Sequence, residues 1–542
     1  MVGIFLVVEA IFVAIQAWFW WFLKAPFYLN SATTWLEIIV FFLLMGIAGS
    51  IAKGISSNSV DGFYFTDVSY IIAGIAFLIF VIGGIASWDC FHTRSRYEFV
   101  NQMVNVVEST EEQSAFPDLL GETNDTSNLP LIGIPEALKK AETEMGKKTA
   151  LGSQFEVLEA NTTSQSINNS LMYVIPLEPK SMFKWDSNIG NNGYYVIDRN
   201  DSSTTFVETS LMTTERAPFG DNTKRIIYKY MSKNHISGRV TELSPEVDNE
   251  GNFHYVATVY TTSGIEGLDK VVGIVEVDAV TKECQYYSLS DIPEYVDRVF
   301  PESIFSEYLK YYGEYKNGFW NTIFGQKEVL VPTKDYDILY KDGVCYYYTG
   351  FTTSGKGESS NGIIMMNCRT GKIDYYITYG ISEERAMGIA EGKVQEKGYV
   401  ASYPLLLEIA GEETYFMLMR DANQNLVGYA FVNYKDYQKS SVNESLTLAQ
   451  NAYIKACATN TSAEGFDNNA IEKIKGQITA LASEVKEGNT IYYVRVNDEG
   501  QMYSFFSELA PEIVFAEIGD NITISYIPID ATVISAVEVE IK

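Results

Sequence analysis

The sequence predicts N-terminal transmembrane helices, then α+β repeat domains in which helices cover one face of an antiparallel sheet, and a small C-terminal β-barrel. Three observations predict this fold: apolar runs within the first 87 residues, a repeated strand pattern in the middle, and short strand-like segments at the end. A chain of 542 residues, 46% apolar and 20% charged, is long enough for several domains with cores of their own. The predicted units are residues 1–87, 88–131, 132–240, 241–325, 326–400, 401–487 and 488–542.

The apolar runs predict three membrane spans, at Met1–Leu23, Thr34–Ala52 and Ser69–Ser87. Each is about long enough to cross a hydrocarbon core of roughly 30 Å. The first run has no basic start and ends in the aromatic stretch Trp18–Phe22, so we expect a retained helix rather than a cleaved signal. Glu9 is a candidate intramembrane polar site, and the alternative is that it lies near a helix end or faces another helix.

The flanking bases predict which side of the membrane the tail occupies. A cytoplasmic tail places Lys24, Arg94 and Arg96 inside and only Lys53 outside, which the positive-inside rule favours. The opposite orientation stays open, because the tail also carries N-x-[ST] triplets such as the one at Asn161.

The composition argues against several kinds of partner and cofactor. The net charge is −29, with 69 acidic against 40 basic residues, which leaves no basic field for nucleic acid. Five cysteines without a CxxC pair, and only three histidines, predict neither a disulfide scaffold nor a zinc site. We therefore expect no cofactor and no metal. The expected partners are the lipid bilayer and either further copies of this chain or another membrane or envelope protein.

Helices and strands alternate along the soluble part. The pattern predicts a juxtamembrane helix at Arg96–Gln113, a polar linker at Ser114–Leu131 and a helix at Pro135–Lys147 with Pro135 in its first turn. Residues Leu151–Ser237 form a predicted β-rich unit. Near the end, Asn468–Lys486 has isoleucines at helical spacing and is predicted to be a helix. Five short strands follow it, which is typical of a small barrel.

An internal repeat is the most informative pattern in the chain. His254–Tyr287 and Cys345–Tyr376 share the order strand, loop, strand, tight turn, strand, and a weaker third copy begins at Glu413. Predicted helices follow the first two copies, at Pro301–Tyr315 and Ser382–Lys397. A repeated meander with a helix predicts a sheet covered by helices on one face.

The repeat resembles the PepSY class of small domains, in which a D-x-x-T-G-like turn joins two strands. The matching stretches are Asp278–Lys282 and Asn367–Gly371. The first has Lys282 where the pattern has Gly, and the second has Asn367 where it has Asp. The resemblance implies a generally non-catalytic domain of membrane or secreted proteins that binds or restrains a partner. Many such domains are extracytoplasmic, which opposes the orientation that the basic residues favour.

Two motif-like strings are better explained as turns. Gly350–Gly357 has the GxxxxGK spacing of a phosphate loop, but Gly357 stands where Ser or Thr holds magnesium, and strands lie on both sides. Asp421–Asn425 begins like a calcium loop, but Leu426 and Val432 replace the required Gly and Glu.

The sequence shows no catalytic constellation, so it predicts a protein that is not an enzyme. No G-x-S-x-G occurs, and His235 and His254 are the histidines available as bases in the folded tail. The expected function is a multi-pass membrane protein that presents an acidic, repeat-built interaction or scaffold domain, as an oligomer. The alternative is a PepSY-like sensor or regulator of a cell-envelope enzyme, with the tail outside.

Aromatic residues are the candidate partner-binding side chains. The chain has 37 Tyr and 30 Phe. Trp185, Phe319, Trp320 and Phe324 stand out in two short aromatic stretches. Core packing is the default role for such residues, and a partner-binding or membrane-facing patch is the alternative.

Overall fold

The structure is a computed structural model, and it covers most of the chain beyond the first apolar run. It describes residues 10, 13–14, 28–55, 61–108, 116–117, 131–147, 149–168, 170–200, 202–341, 343–353, 359–409, 411–459, 472–486, 489–497, 500–507, 509–526 and 533–542. The predicted span at Met1–Leu23, apart from residues 10, 13 and 14, lies outside this range. So does most of the predicted linker at Ser114–Leu131.

Two apolar helices, α1 (Ala32–Ile55) and α2 (Asp61–Ala86), are long and apolar enough to cross a membrane. They correspond to the second and third predicted spans and are consistent with membrane anchoring. A third span is not supported, because the first run falls outside the described residues. Gly46 permits close packing of the pair, since a Cβ there would lie 2.7 Å from the Tyr70 ring.

The long juxtamembrane helix predicted at Arg96–Gln113 is wrong in its second half. Helix α3 (Asp89–Asn101) ends early, and the chain continues as strand β1 (Val104–Glu108). β1 pairs in parallel with Ile373–Ile377 at the edge of a sheet. Its β-branched valines fit a pleated strand, so tertiary pairing overrides the helical spacing.

Four antiparallel meanders form the body of the protein. Sheet 1 contains β2 (Thr163–Ile167), β3 (Ser170–Pro176), β4 (Asn191–Asp198) and β5 (Thr204–Leu211). Sheet 2 contains β6 (Arg239–Val247), β7 (Phe253–Thr262), β8 (Asp269–Asp278) and β9 (Cys284–Ser288). Sheet 3 contains β10 (Leu330–Pro332), β11 (Asp337–Lys341), β12 (Val344–Thr353), β13 (Gly362–Asn367), β14 (Ile373–Ile377) and the added β1. Sheet 4 contains β15 (Leu405–Ile409), β16 (Glu412–Arg420), β17 (Leu426–Asn433) and β18 (Ser440–Asn443).

Each sheet packs against the next through a shared apolar core. Val174 of sheet 1 shares a core with Tyr255 of sheet 2. Ile274 of sheet 2 shares one with Tyr347 of sheet 3, and sheets 3 and 4 share a third. Helical residues such as Ile227, Phe305 and Ala386 also belong to these cores, so the sheets pack against helices and against one another, whereas the prediction had only helices on one sheet face. Successive antiparallel sheets that pack against one another in this way are propeller-like.

The helices of the soluble part are short and lie around the sheets. The predicted helix at Pro135–Lys147 is confirmed as α4 (Ile134–Gly146), with Pro at its start. Its alanines pack on sheet 1. The other helices are α5 (Thr149–Gln154), α6 (Thr223–Lys233), α7 (Glu302–Glu314), α8 (Glu383–Lys393) and α9 (Leu446–Thr459).

The C-terminal unit contains β19 (Glu472–Lys486), β20 (Asn489–Val496), β21 (Met502–Phe506), β22 (Asn521–Tyr526) and β23 (Val533–Ile541). They pair in the closed order β19–β20–β21–β23–β22. The predicted helix at Asn468–Lys486 is wrong within the described residues, since Glu472–Lys486 is a strand. A predicted strand near residue 513 is instead the 3₁₀ turn Pro511–Phe515.

One hairpin connects the four-sheet ring to the apolar helices α1 and α2. The turn between β7 and β8 meets the end of α2, where the Ile265 N–H donates to Ser87 Oγ at 3.0 Å. A Cβ on Gly83 would lie 2.5 Å from Ile265 Cδ1, so the glycine lets this side chain approach α2 closely. Asn30, just before α1, donates to the Thr262 carbonyl at 2.6 Å. Both helix ends therefore contact sheet 2.

Candidate functional site

A cavity of about 430 Å³ lies where sheets 1, 2 and 3 meet. Strands β2, β6 and β11 each contribute lining residues, and the segment before α7 closes one side. The lining residues are Ile134, Glu159, Ala160, Thr162, Thr163, Ser164, Tyr173, Arg199, Leu243, Ser244, Pro245, Val256, Thr258, Arg298, Pro301, Glu302, Tyr336, Asp337, Ile338 and Tyr347. Its volume falls within the range of small-molecule pockets.

Arg298 reaches the cavity from a segment held by several polar contacts. Arg369 donates to four backbone carbonyl oxygens between residues 292 and 296, at 2.7 to 2.9 Å. Thr258 Oγ1 donates to the Val299 carbonyl at 2.6 Å. These bonds fix the backbone on both sides of Arg298, so its guanidinium is pre-positioned.

The Arg298 guanidinium donates hydrogen bonds to uncharged side chains. It donates to the Tyr347 hydroxyl at 3.1 Å and to Thr163 Oγ1 at 3.3 Å, and it lies 5.7 Å from the Tyr347 ring centre. Among the ion pairs of the described residues, none includes Arg298. Its positive charge therefore has no carboxylate in direct contact within that part of the chain.

Arg199 faces the same cavity from the turn after β4. Its side chain is 7% exposed, it donates to Ser164 Oγ at 2.9 Å, and its guanidinium carbon lies 4.9 Å from the Tyr173 ring centre. Its buried Nε donates to no described acceptor. Stacking on an aromatic face and bonding to a hydroxyl leave the guanidinium charge unneutralised by direct contact.

Three carboxyl groups lie in or behind the cavity wall, and Glu246 among them is fully buried. Burial raises the pKa of Asp337, although the nearby Arg199 charge opposes this shift. Burial also raises the pKa of Glu246 well above its usual range, which favours the neutral form. Burial raises the pKa of Asp297 to about 6, against a hydrogen bond from the Ser166 N–H. Because Glu246 favours its neutral form, it adds little negative charge behind the wall at neutral pH.

The arrangement suits the binding of an anion. Guanidinium groups present paired donors to carboxylate or phosphate oxygens, and the hydroxyls of Thr163, Ser164 and Ser244 add further polar contacts. Within the described residues, no cluster of three His, Cys, Asp or Glu is placed to hold a metal ion.

The predicted aromatic residues lie elsewhere, in two different environments. Trp185 is buried and donates from Nε1 to Asp221 at 2.9 Å, so it is a packing residue. Phe319, Trp320 and Phe324 come together on one exposed loop, where the Trp320 and Phe324 rings stack at 5.8 Å. The other candidate, Glu9, lies outside the described residues.

Sequence reasoning missed the cavity residues Arg199, Arg298 and Asp337. They lie in three separate sheets or connections, and nothing in their local sequence links them. Each arginine follows an aspartate, as Asp198-Arg199 and Asp297-Arg298, but such a pair equally indicates a solvated turn.

No protein-family model and no curated protein matches the chain in sequence. Several solved structures match the chain with low similarity. The polysaccharide lyase Uly1 has 8% identity and a TM-score of 0.17, covering 68% of this chain and 77% of the lyase. An endo-1,5-alpha-L-arabinanase from Thermotoga petrophila has 11% identity and a TM-score of 0.19, and the match covers 69% of this chain and 96% of the arabinanase. A levansucrase mutant from B. megaterium has 10% identity and a TM-score of 0.17, covering 70% and 83%.

These matches correct the prediction that the chain is not an enzyme, because all three matched structures are enzymes by name. With TM-scores below 0.2, they carry no reaction or substrate over to this chain.

Proposed function

We propose that the chain is a membrane-anchored binding protein whose four-sheet ring takes a small anion into its central cavity. The observation that carries this proposal is the pair Arg199 and Arg298. Both guanidinium groups face one cavity, and neither forms an ion pair among the described residues.

The cost of burying charge supports the proposal. An unpaired guanidinium in a protein interior loses hydration without regaining it from a carboxylate. The chain has 69 acidic residues, so carboxylates are not scarce. Two arginines kept without such a partner in one cavity are best explained by an anion that arrives from solution.

The lining indicates the class of anion. Tyr173, Tyr336 and Tyr347 supply aromatic faces and hydroxyls, and several threonines and serines supply more hydroxyls. Such a wall suits a hydroxylated organic anion, either a sugar acid or a phosphate ester, better than an apolar acid.

Calorimetry on the full chain in lipid nanodiscs tests the proposal. The probes are galacturonate, glucose 6-phosphate, inorganic phosphate and neutral galactose. We expect at least one anion to bind, and Arg199→Gln and Arg298→Gln each to weaken its binding by at least tenfold. Arg94→Gln is the matched control, because the Arg94 side chain is 90% exposed and pairs with Glu98. Equal binding by wild type and both cavity variants would contradict the proposal.

A second proposal is that the chain self-associates as a scaffold. The observation that favours it is an exposed apolar strip on the C-terminal unit, whose closed strand order supports the small barrel. Val514, Phe515 and Ile518 are 58%, 86% and 69% exposed. Light scattering of the full chain in detergent would show an oligomer that Phe515→Ser weakens. Phe183→Ser, at a position 90% exposed, is the control and leaves the mass unchanged.

The side of the membrane separates an internal scaffold from a PepSY-like regulator outside the cell. Asn249, at an exposed hairpin tip, is replaced by cysteine in a background with Cys90 and Cys284 changed to serine. The basic residues predict that an impermeant thiol reagent labels it only after lysis. Labelling of intact cells would favour the regulator.

A further inference from the structure

We propose that residues 316–327, called the aromatic loop, rest in the headgroup region of the bilayer that α1 and α2 cross. This inference is independent of the central cavity. It depends on the two apolar helices being membrane spans.

The aromatic loop exposes an apolar surface that the soluble fold does not cover. Trp320, Ile323 and Phe324 are 67%, 50% and 77% exposed. Trp320 stacks on Phe324, and Phe319 meets Trp320 edge to face at 5.5 Å. Exposed clusters of this kind mark interaction sites, and tryptophan is enriched at membrane interfaces.

The loop lies beside the end of a membrane helix. It follows α7, whose Lys310 Nζ lies 3.3 Å from Asp89, and Tyr315 donates a hydrogen bond to the same carboxylate. Asp89 comes three residues after Ala86, the last residue of α2. The loop begins immediately after Tyr315. The contacts with Asp89 therefore fix the position of the loop relative to the end of α2.

Neighbouring exposed aromatics belong to the same region. Trp88, just before α3, and Phe91, in the first turn of α3, are each 66% exposed. They and the aromatic loop flank the Asp89 contact. An interfacial belt would use both groups, because aromatic side chains stabilise a protein at the level of the lipid headgroups.

Hydrogen bonds hold the loop in shape without help from a partner. The Asn321 side chain accepts from the Lys327 N–H at 3.1 Å and donates to the Lys327 carbonyl at 2.9 Å. Asn317 donates to the same carbonyl at 3.0 Å. A pre-ordered loop loses little conformational entropy when its apolar tip leaves water.

The charge of the loop suits contact with lipid headgroups. Residues 316–327 contain Lys316 and Lys327 and no Asp or Glu, whereas the whole chain has a net charge of −29. Lys316 also pairs with Glu328 at 2.7 Å, and both side chains are half exposed. Lysines at the two ends of an apolar tip are well placed to meet lipid phosphates.

The test uses the full chain in phosphatidylcholine nanodiscs, with Cys90 and Cys284 changed to serine. Phe324→Cys carries a polarity-sensitive fluorophore, and lipids brominated near the glycerol end of the acyl chain act as quenchers. We expect the brominated lipids to lower its emission at least twofold. Ile323→Cys is a second labelling site in case Phe324→Cys disturbs the loop.

Phe183→Cys is the matched control. Phe183 is 90% exposed and lies near Trp185, which is joined through Asp221 to Lys282 at the far end of sheet 2. That end is separated from the Ile265 turn by the ten residues of β8, roughly 30 Å. We expect no quenching there. If fluorophores at residues 323 and 324 emit equally in brominated and in ordinary lipids, the proposal is overturned. A change in the fluorophore's emission that appears only at high protein concentration would also overturn the proposal. It would indicate that a second copy of the chain covers the loop.

Discussion

Asp278 and Asn367 shape the same turn in two different sheets. In each, the side-chain oxygen accepts from the two backbone N–H groups that lie two and three residues ahead, at 2.8 to 3.0 Å. The fifth residue is left-handed, with φ of +64° at Lys282 and +69° at Gly371. Aspartate and asparagine therefore serve equally, because the turn requires only the acceptor oxygen.

Gly371 tolerates a side chain less well than Lys282, its counterpart in the first turn, because the Phe300 ring lies against it. We expect Gly371→Ala to lower the free energy of unfolding by about 2 kcal/mol, since left-handed backbone disfavours a side chain. A Cβ there would also lie 2.5 Å from the Phe300 ring. Chemical denaturation measures the loss. Gly388→Ala, in the exposed interior of α8 with nothing within 4 Å, is the control and should stabilise by about 0.5 kcal/mol.

Glu178 gives a pH dependence whose sign follows from its burial. Burial raises its pKa to about 7, against hydrogen bonds that include those from the Arg216 N–H and Asn161. The folded state therefore binds the proton between pH 4.5 and 7 while the unfolded state releases it. The free energy of unfolding should fall over this window by about 3 kcal/mol from Glu178 alone.

Comparison with Glu178→Gln isolates this contribution. The variant keeps the other titrating groups. The free energy of unfolding of the wild type minus that of the variant should therefore fall from pH 4.5 to 7 and then level off. A difference that stays constant from pH 4.5 to 8 would show that Glu178 is ionised throughout in the folded protein.

At the scale of elements, α4 links sheet 4 to sheet 1. Glu136 on α4 pairs with Arg420 of β16 at 3.3 Å, and the two side chains are 16% and 8% exposed. Lys139, one turn further on, donates to Asn425 at 2.7 Å. These contacts complete the ring between the last sheet and the first.

A double-mutant cycle on Glu136→Gln and Arg420→Gln tests this closure. We expect a coupling free energy of about 2 kcal/mol, because low exposure limits screening and each single change leaves the other charge unpaired. The exposed pair Arg94 and Glu98 is the matched control, with an expected coupling of about 0.4 kcal/mol. Equal couplings would mean that the α4 contact does not stabilise the ring.

Strand β19 shows why one element was assigned wrongly. Ile474 and Ile478 are four residues apart, a spacing that places them on one face of either a helix or a strand. A register shift between Ile478 and Ala480 then turns Leu481 to the same side. The pattern matched a helix because a bulge within a strand imitates its period.

At the scale of the whole molecule, the hairpin between β7 and β8 joins the ring to the membrane helices. A Cβ on Gly264 would lie 3.4 Å from the Ser87 Cβ. We therefore expect Ser87→Cys with Gly264→Cys, in a Cys90→Ser background, to form a disulfide on mild oxidation. Non-reducing mass mapping of the full chain measures it.

The control pair replaces Gly264→Cys with Gly251→Cys. Gly251 precedes β7, whereas the contact with Ser87 follows it, so the two thiols are too far apart to join. If Ser87→Cys forms a disulfide with Gly251→Cys but not with Gly264→Cys, a different part of the ring lies against α2.

The sequence by itself determined the apolar helices, helix α4, the repeated strand order and the acidic surface. These features depend on local spacing and composition, which a single chain displays directly. The ring, its cavity and the pairing of β1 with β14 were decided only by tertiary structure, because Arg199, Arg298 and Asp337 come from separate sheets. The aromatic loop belongs to both levels: the sequence singled out Phe319, Trp320 and Phe324, but only packing of α7 against α3 places them beside the membrane helices.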